Sequence, residues 1–194
     1  IIAEGKTKKI FELDEKRVEI VSKDDITAGD GAKHDILAGK AAFATQTTCN
    51  VFILLEKCGI PVAFENQQDD TSFWAPKCTM LPYEVVVRRE AHGSYLKRMP
   101  GLPKGHYFPK LVLEFFLKTS GRKWGEHELV CDDPLIKFMY DVGFTIDKLE
   151  LFDPAKPIAS QKSFLVLDST EVVWSENKTI EKMGQIAKRT FLIL

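Results

Sequence analysis

The stretch Met80–Gly101, M-L-P-Y-E-V-V-V-R-R-E-A-H-G-S-Y-L-K-R-M-P-G, constrains the fold more than any other part of the chain. Pro82 sets an extended entry. Val85-Val86-Val87 then form a continuous apolar run, the pattern of a strand covered on both faces. The run leaves on Arg88 and Arg89 and reaches a Gly93-Ser94 corner, with His92, Lys97, Arg98 and Lys104 close by. A buried strand that delivers an arginine and a Gly-Ser corner to one place builds an anion site on a rigid scaffold.

The formal net charge of the chain is -1, so this basic cluster is local. It points to a small anionic ligand and gives no electrostatic case for nucleic acid or membrane binding. A length of 194 residues suits one domain, or two small lobes sharing a cleft. Cys49, Cys58, Cys78 and Cys131 form no C-x-x-C pair, so zinc is disfavoured and reduced thiols in a cytoplasmic protein are expected. No apolar run reaches membrane-spanning length and no signal peptide is visible. The chain starts Ile-Ile without Met and stops on Phe191-Leu192-Ile193-Leu194, so it reads as cut at both ends.

Residues 1–13 read as strand, turn, strand. Gly5 sits in the turn with Lys6, Lys8 and Lys9 around it, either a phosphate-binding tip or a solvated hairpin. Residues 17–22 alternate as a strand. Asp24–Lys33 is a turn-rich segment with Gly29 and Gly31, a surface loop or the lip of a ligand site. Lys40–Lys57 has helical spacing, with Ala44, Thr48, Val51 and Leu55 on one face, Gly59 as C-terminal cap and Pro61 beyond. It is expected to be core-packed, so Cys49, Phe52 and Cys58 are given no chemistry. Residues 61–66 begin a further strand and 67–71 a polar turn. The first half therefore predicts a small, largely antiparallel sheet with one helix against it.

Beyond Gly101, Leu111–Lys118 reads as a buried strand ending in a lysine, which either reaches a ligand anion or solvates the strand end. Thr119–Asp133 is loop-like, with Asp132-Asp133-Pro134 as a turn. Phe144–Leu151 and Phe164–Leu167 look like short strands. Thr179–Leu194 looks helical, with Ser175 or Asn177 as N-cap and Ile180, Met183, Ile186/Ala187 and Phe191 on one face.

The segment M-L-P-Y-E-V-V-V-R-R-E-A-H-G-S closely resembles the first signature of the SAICAR synthetase (phosphoribosylaminoimidazole-succinocarboxamide synthase) family. Tyr83 stands where that signature has an aliphatic residue and His92 where it has Thr or Ala. Further blocks are similar in order: E-G-K-T-K-K-I-F-E (Glu4–Glu12), D-x-I-T-A-G-D-G-A-K (Asp24–Lys33), L-E-K-C-G-I-P (Leu55–Pro61), F-F-L-K (Phe115–Lys118), D-P-L (Asp133–Leu135) and V-W-S-E-N (Val173–Asn177). The resemblance runs through nearly the whole chain.

It implies an α+β fold in two lobes, a small antiparallel-sheet lobe over 1–80 and an ATP-grasp-like nucleotide-binding lobe over 81–194, with ATP in the cleft. It implies ATP-dependent ligation of L-aspartate to the carboxylate of CAIR, giving SAICAR, ADP and phosphate through an acyl phosphate, with Mg²⁺ bridging the polyphosphate. By position, Lys6 and Lys8 would hold the ATP phosphates, Met80 and Glu84 the adenine and ribose, and Lys118 the nucleotide; Lys6 and Lys118 would be catalytic. Arg88 and Ser94 would bind CAIR, and Asp30 would lie on the substrate-side loop. Arg89, Lys97 and Arg98 would add only positive field. His92 is either a ligand contact or a tolerated swap beside the turn.

The family's second signature, D-x-K-(apolar)-E-F-G, and its later D-E block do not occur in these residues, so the metal ligands are left unassigned. Val166–Glu171 is a poor imitation, lacking the Lys and the Phe-Gly. The chain is accordingly expected to be a shortened member that is either unstable alone or pairs through an exposed sheet edge as a homo-oligomer. Two other readings stand beside the ligase: a non-catalytic nucleotide-binding or oligomerising remnant, and a different ATP-dependent carboxylate–amine ligase.

Overall fold

Short connections between apolar runs close most readily as antiparallel pairs, because a parallel pair needs a long crossover. The computed structural model describes residues 1–28, 33–172 and 175–194, and every strand pairing among them is antiparallel. The chain divides into two units, Ile1–Thr79 and Met80–Leu192. The expected α+β class is what the structure shows.

The first unit contains β1 (Ala3–Glu4), β2 (Lys8–Glu12), β3 (Arg17–Ser22), β4 (Asp25–Ala28), β5 (Lys33–Ile36), α1 (Lys40–Lys57), β6 (Asn66–Gln67) and β7 (Ser72–Pro76). Its sheet has the order β1-β2-β3-β7-β6, and β4 and β5 form a separate ribbon. The register pairs Ile10 with Ile20, Ile20 with Phe73 and Val18 with Ala75, which places all five on one face. That face packs against Cys49, Phe52, Val62 and Phe64. The rings of Phe52, Phe64 and Phe73 meet at 5.7–6.0 Å.

The helix buries Ala41, Thr45, Cys49 and Leu55, not the Ala44–Thr48–Val51 stripe that spacing alone suggests. The rotation by one residue puts the Thr45 hydroxyl against that of Ser22, a buried hydrogen bond of 2.8 Å. Gly39 gives α1 no side-chain cap; the Asp24 carboxylate caps it from a distance by accepting from Ala41 N at 2.8 Å. At the other end Gly59, at φ 72, allows Gly59 N to reach Glu56 O and Ile60 N to reach Leu55 O, the Schellman pattern. The strand expected from Pro61 pairs only from Glu65 N, bonded to Trp74 O, because Pro61 has no donor and Val62 and Phe64 turn into the core. Within the segment expected as a loop, Asp25–Ala28 is strand β4, which pairs with β5 from Lys33 onward; residues 29–32 lie outside the described residues.

The second unit contains β8 (Tyr83–Glu90), α2 (Ser94–Arg98), β9 (Tyr107–Leu117), β10 (Lys123–Trp124), β11 (His127–Glu128), β12 (Leu135–Tyr140), β13 (Ile146–Phe152), β14 (Leu165–Asp168) and α3 (Asn177–Ile193). Its main sheet has the order β14-β13-β12-β9-β8. Tyr83, Val85, Leu113, Phe115, Leu117, Ile136, Leu149 and Leu151 share a core with Ile180 and Met183 of α3. Tyr83, the aromatic at an aliphatic position, packs edge-on to Phe115 at 6.3 Å. Helix and sheet approach so closely that a Cβ on Gly184 would lie 2.8 Å from Leu113 Cδ2.

Three expectations change here. β8 is the edge strand of its sheet among the described residues, and Val86 lines a cavity on one sheet face instead of packing under a second layer. β12 went unread, and β13 starts at Ile146, because Phe144 at φ 59 belongs to the turn before it. Neither Ser175 nor Asn177 caps α3: Ser175 Oγ donates to Ser169 O, while Asn177 accepts from Ile146 N at 2.8 Å and donates to Phe144 O. The final residue of V-W-S-E-N is thus a clamp on a hairpin. Val173 and Trp174 of that block lie outside the described residues.

Candidate functional site

On the sheet face opposite α3, β8 presents Glu84, Val86 and Arg88, in register with Phe116, Glu114 and Val112 of β9. A cavity of about 280 Å³ opens there. Its walls are Glu84, Val86 and Arg88 from β8, Ser94 and Lys97 from α2, Phe116 from β9, Asp132 and Asp133 before β12, and Pro154 and Ala155 after β13. A larger hollow of about 580 Å³ lies beside α3, but its walls are chiefly apolar, among them Leu113, Phe115, Ile136 and Phe138. A hollow of about 480 Å³ in the first unit is also lined by charge, from Asp14, Glu15, Lys16, Arg17 and Glu65, but takes in none of the residues singled out from sequence. Of the cavity on β8 and the hollow beside α3, the smaller is the richer in charged groups.

Its basic wall is built on one carboxylate. Glu114 is 9% exposed, and Arg88 Nε donates to its Oε2 at 2.7 Å. Arg98 Nη2 donates to its Oε1 at 2.7 Å. Both guanidiniums lie over the Tyr95 ring, at 5.6 and 5.5 Å from its centroid. Burial, and then the charge of Glu114, push the Tyr95 phenol up. Two cations against one anion leave the wall positive, and an incoming anion would complete the compensation. The turn that aims Ser94 depends on Gly93, at φ 57 and ψ -132.

The acidic wall is spent on holding a loop. Asp133 accepts from Lys118 Nζ at 2.5 Å and from Thr119 N at 2.9 Å; Asp132 accepts from Arg122 N at 2.6 Å. Lys118 also reaches Glu84 Oε2 at 3.4 Å. The Asp133 hydrogen bond raises the Lys118 pKa, so at neutral pH this side chain is a cation and not a base. Burial pushes the neighbouring Cys131 thiol up to about 11, which removes it as a nucleophile. No three His, Cys, Asp or Glu side chains among the described residues converge as metal ligands would. A protein-built divalent-metal centre does not fit the residues described.

Of the residues singled out from sequence, Glu84, Arg88 and Ser94 meet at this cavity and Lys118 is tied to Glu84 at its edge. Met80 is 85% exposed at the start of the unit. Lys6 and Lys8 belong to the first unit, in and after the turn that Gly5 N closes on Lys8 O at 2.9 Å. Lys8 lies in β2 with its ammonium 5.7 Å from the Phe73 ring, so it is half-buried, not at a hairpin tip. Asp30 lies outside the described residues.

Arg98 and Arg89 are not diffuse field charges. Arg98 is 2% exposed and ion-paired, and Arg89 donates to Phe108 O and Pro109 O at 3.3 Å. His92 pairs with Glu90 at 2.8 Å, beside the corner. Sequence reasoning passed over Glu114. The available signal was a lone carboxylate inside the apolar run L-V-L-E-F-F-L, which demands a partner when buried.

No helix among the described residues is long and apolar enough to cross a membrane. The family model described as SAICAR synthetase matches residues 1–168. The multifunctional protein ADE2 of Gallus gallus is 40% identical over 174 residues, 87% of this chain and 39% of that protein. Among solved structures, the phosphoribosylaminoimidazole-succinocarboxamide synthase from Ehrlichia chaffeensis superposes with a TM-score of 0.72 at 23% identity, covering 99% of this chain and 65% of that one. The SAICAR synthetase from Pyrococcus horikoshii gives 0.69 at 26% identity, covering 96% and 65%. The chain thus spans about two fifths of the length of the first-named relative.

Proposed function

The chain belongs to the SAICAR synthetase family, and from that premise we propose that it carries the CAIR- and nucleotide-binding residues of a ligase that joins L-aspartate to CAIR at the expense of ATP. One observation carries the reading: Arg88 and Ser94 share one wall of a cavity, with Arg88 held by a single Nε bond over a buried carboxylate. A guanidinium and a hydroxyl so placed suit an anionic group of CAIR.

The chemistry follows from the acceptor. A carboxylate resists an amine because oxide would have to leave. Its oxygen therefore takes the γ-phosphoryl group of ATP and ADP departs. The aspartate amine then adds to the acyl carbon, inorganic phosphate leaves, and the amine proton passes to solvent. In this reading Lys6 and Lys8 neutralise the polyphosphate, Met80 and Glu84 receive the adenosine, and Lys118, kept cationic by Asp133, steadies the nucleotide. Asp30, outside the described residues, stays in this reading as a residue of the substrate-side loop. The described residues build no cage for Mg²⁺, so the reading rests on cationic side chains.

Purified chain supplied with Mg²⁺, ATP, CAIR and L-aspartate is expected to release ADP only when all are present. Nucleotide binding without aspartate-dependent turnover would favour a non-catalytic remnant. Arg88→Ala should lower kcat/KM for CAIR by about tenfold to a hundredfold, the loss of charge-assisted hydrogen bonds. Unchanged activity would remove Arg88 from the CAIR pocket.

A further inference from the structure

A carboxylate opposite one arginine favours the fork-to-fork pair, in which a single guanidinium engages both oxygens. Glu114 is denied that geometry. Arg98 Nη2 holds its Oε1 and Arg88 Nε its Oε2, each at 2.7 Å. Arg98 is fixed in place: its Nη1 donates to Ser94 O and Pro154 O at 3.3 Å, and Phe116 lies 5.2 Å from its guanidinium carbon. Arg88 is the member that lines the cavity. Among the described residues its terminal nitrogens have no carboxylate or carbonyl acceptor.

We propose that Arg98 is a positioning residue for anion recognition: by occupying Oε1 of Glu114 it limits Arg88 to one Nε bond and leaves the terminal nitrogens of Arg88 to a phosphomonoester in the cavity. The bond from the same side chain to the carbonyl of Ser94 holds the backbone of α2 and is assigned to stability, not to recognition. Only the identity of the ligand rests on the functional reading above. Because Arg98 is buried and does not line the cavity, it acts through Glu114 and not by touching substrate.

The test uses ribose 5-phosphate, a phosphomonoester without the imidazole, alongside CAIR. Each is titrated calorimetrically into the chain and its variants, with the melting temperature of every protein recorded. Arg98→Met is expected to weaken ribose 5-phosphate by about tenfold or more, since Arg88 then closes on both oxygens of Glu114. Combining it with Glu114→Gln should recover most of that loss, because an amide offers one acceptor oxygen and cannot take both arms of the fork. A merely structural role predicts a double variant no better than the single one. That result overturns the proposal, as does an Arg98→Met protein that binds like the parent.

Should Arg98→Met fail to fold, Arg98→Lys decides. One ammonium covers Oε1 but cannot fork to Ser94 and Pro154, so the melting temperature falls while affinity stays within about threefold. A folded Arg98→Lys protein weakened by about tenfold overturns the role. Ribose 5-phosphate binding without CAIR binding would refute the functional reading and leave the positioning role standing. A parent chain that binds neither overturns both.

Discussion

Gly93 shows how a single residue sets the candidate site. At φ 57 and ψ -132 it occupies backbone space that side chains rarely enter, yet an added Cβ would meet nothing within 4 Å. The cost of Gly93→Ala is therefore backbone strain alone, about 1–3 kcal/mol. Chemical denaturation should register that loss, and anion binding should weaken because Ser94 and Tyr95 follow directly. Undiminished stability would show that the corner tolerates a side chain. At this scale the sequence was informative where chemistry is local. Arg88 and Ser94 stand out because a strand end and a Gly-Ser turn are adjacent in the chain. Arg98 and Glu114 do not stand out, being 16 residues apart and joined only in the folded state. Nor could sequence separate Lys97, which lines the cavity, from Arg98, which is buried beneath it. Neighbours on a helix point about 100° apart, and only the packed sheet decides which points inward.

Elements show the same division. Periodicity found α1 and α3, but a helical pattern names a stripe, and the partner chooses the face. In α1 the Ser22–Thr45 hydroxyl pair shifts that face by one residue. In α3 the choice falls on Gly184, which lets the helix meet Leu113. An ordinary Gly→Ala change inside a helix gains about 1 kcal/mol. Here the new methyl would overpack Leu113 Cδ2, at a cost of about 1–3 kcal/mol. Gly184→Ala is thus expected to leave stability flat or lower it, and Leu113→Val in the same chain should restore part of the helical gain. A double-mutant cycle from urea unfolding measures the coupling. A clear stabilisation by Gly184→Ala alone would mean that helix and sheet stand further apart than described.

Across the whole molecule, acid stability can be assigned to each unit separately. In the first unit four carboxylates are held below their usual range: Glu4 chiefly by Lys23, Asp14 by the Lys16 backbone, Asp25 by His34 and Asp69 by the Thr71 backbone. In the second unit two are, Asp168 by the Thr170 hydroxyl and Glu171 by the Asp168 backbone. A carboxyl lowered in the folded state contributes stability above its unfolded value, here 3.8 for Asp and 4.5 for Glu, and loses it as pH falls through the folded value. Five of the six are exposed and Asp25 is half-buried, so each contribution is small and screened. Hydrogen exchange followed from pH 5 downward should show the first unit losing protection before the second; the reverse order would refute the assignment. By itself the sequence determined the helices α1 and α3, strands such as β2, β3, β8 and β9, the Gly93–Ser94 corner and the arginine beside it, because propensity, periodicity and turn chemistry act over a few neighbouring residues; the two-lobed α+β class came with the family resemblance. Only the tertiary structure decided that β8 lies at a sheet edge among the described residues, that α1 turns Thr45 inward, and that one buried carboxylate binds two arginines. Burial and charge compensation depend on what packs opposite, and that is set by residues far apart in the chain.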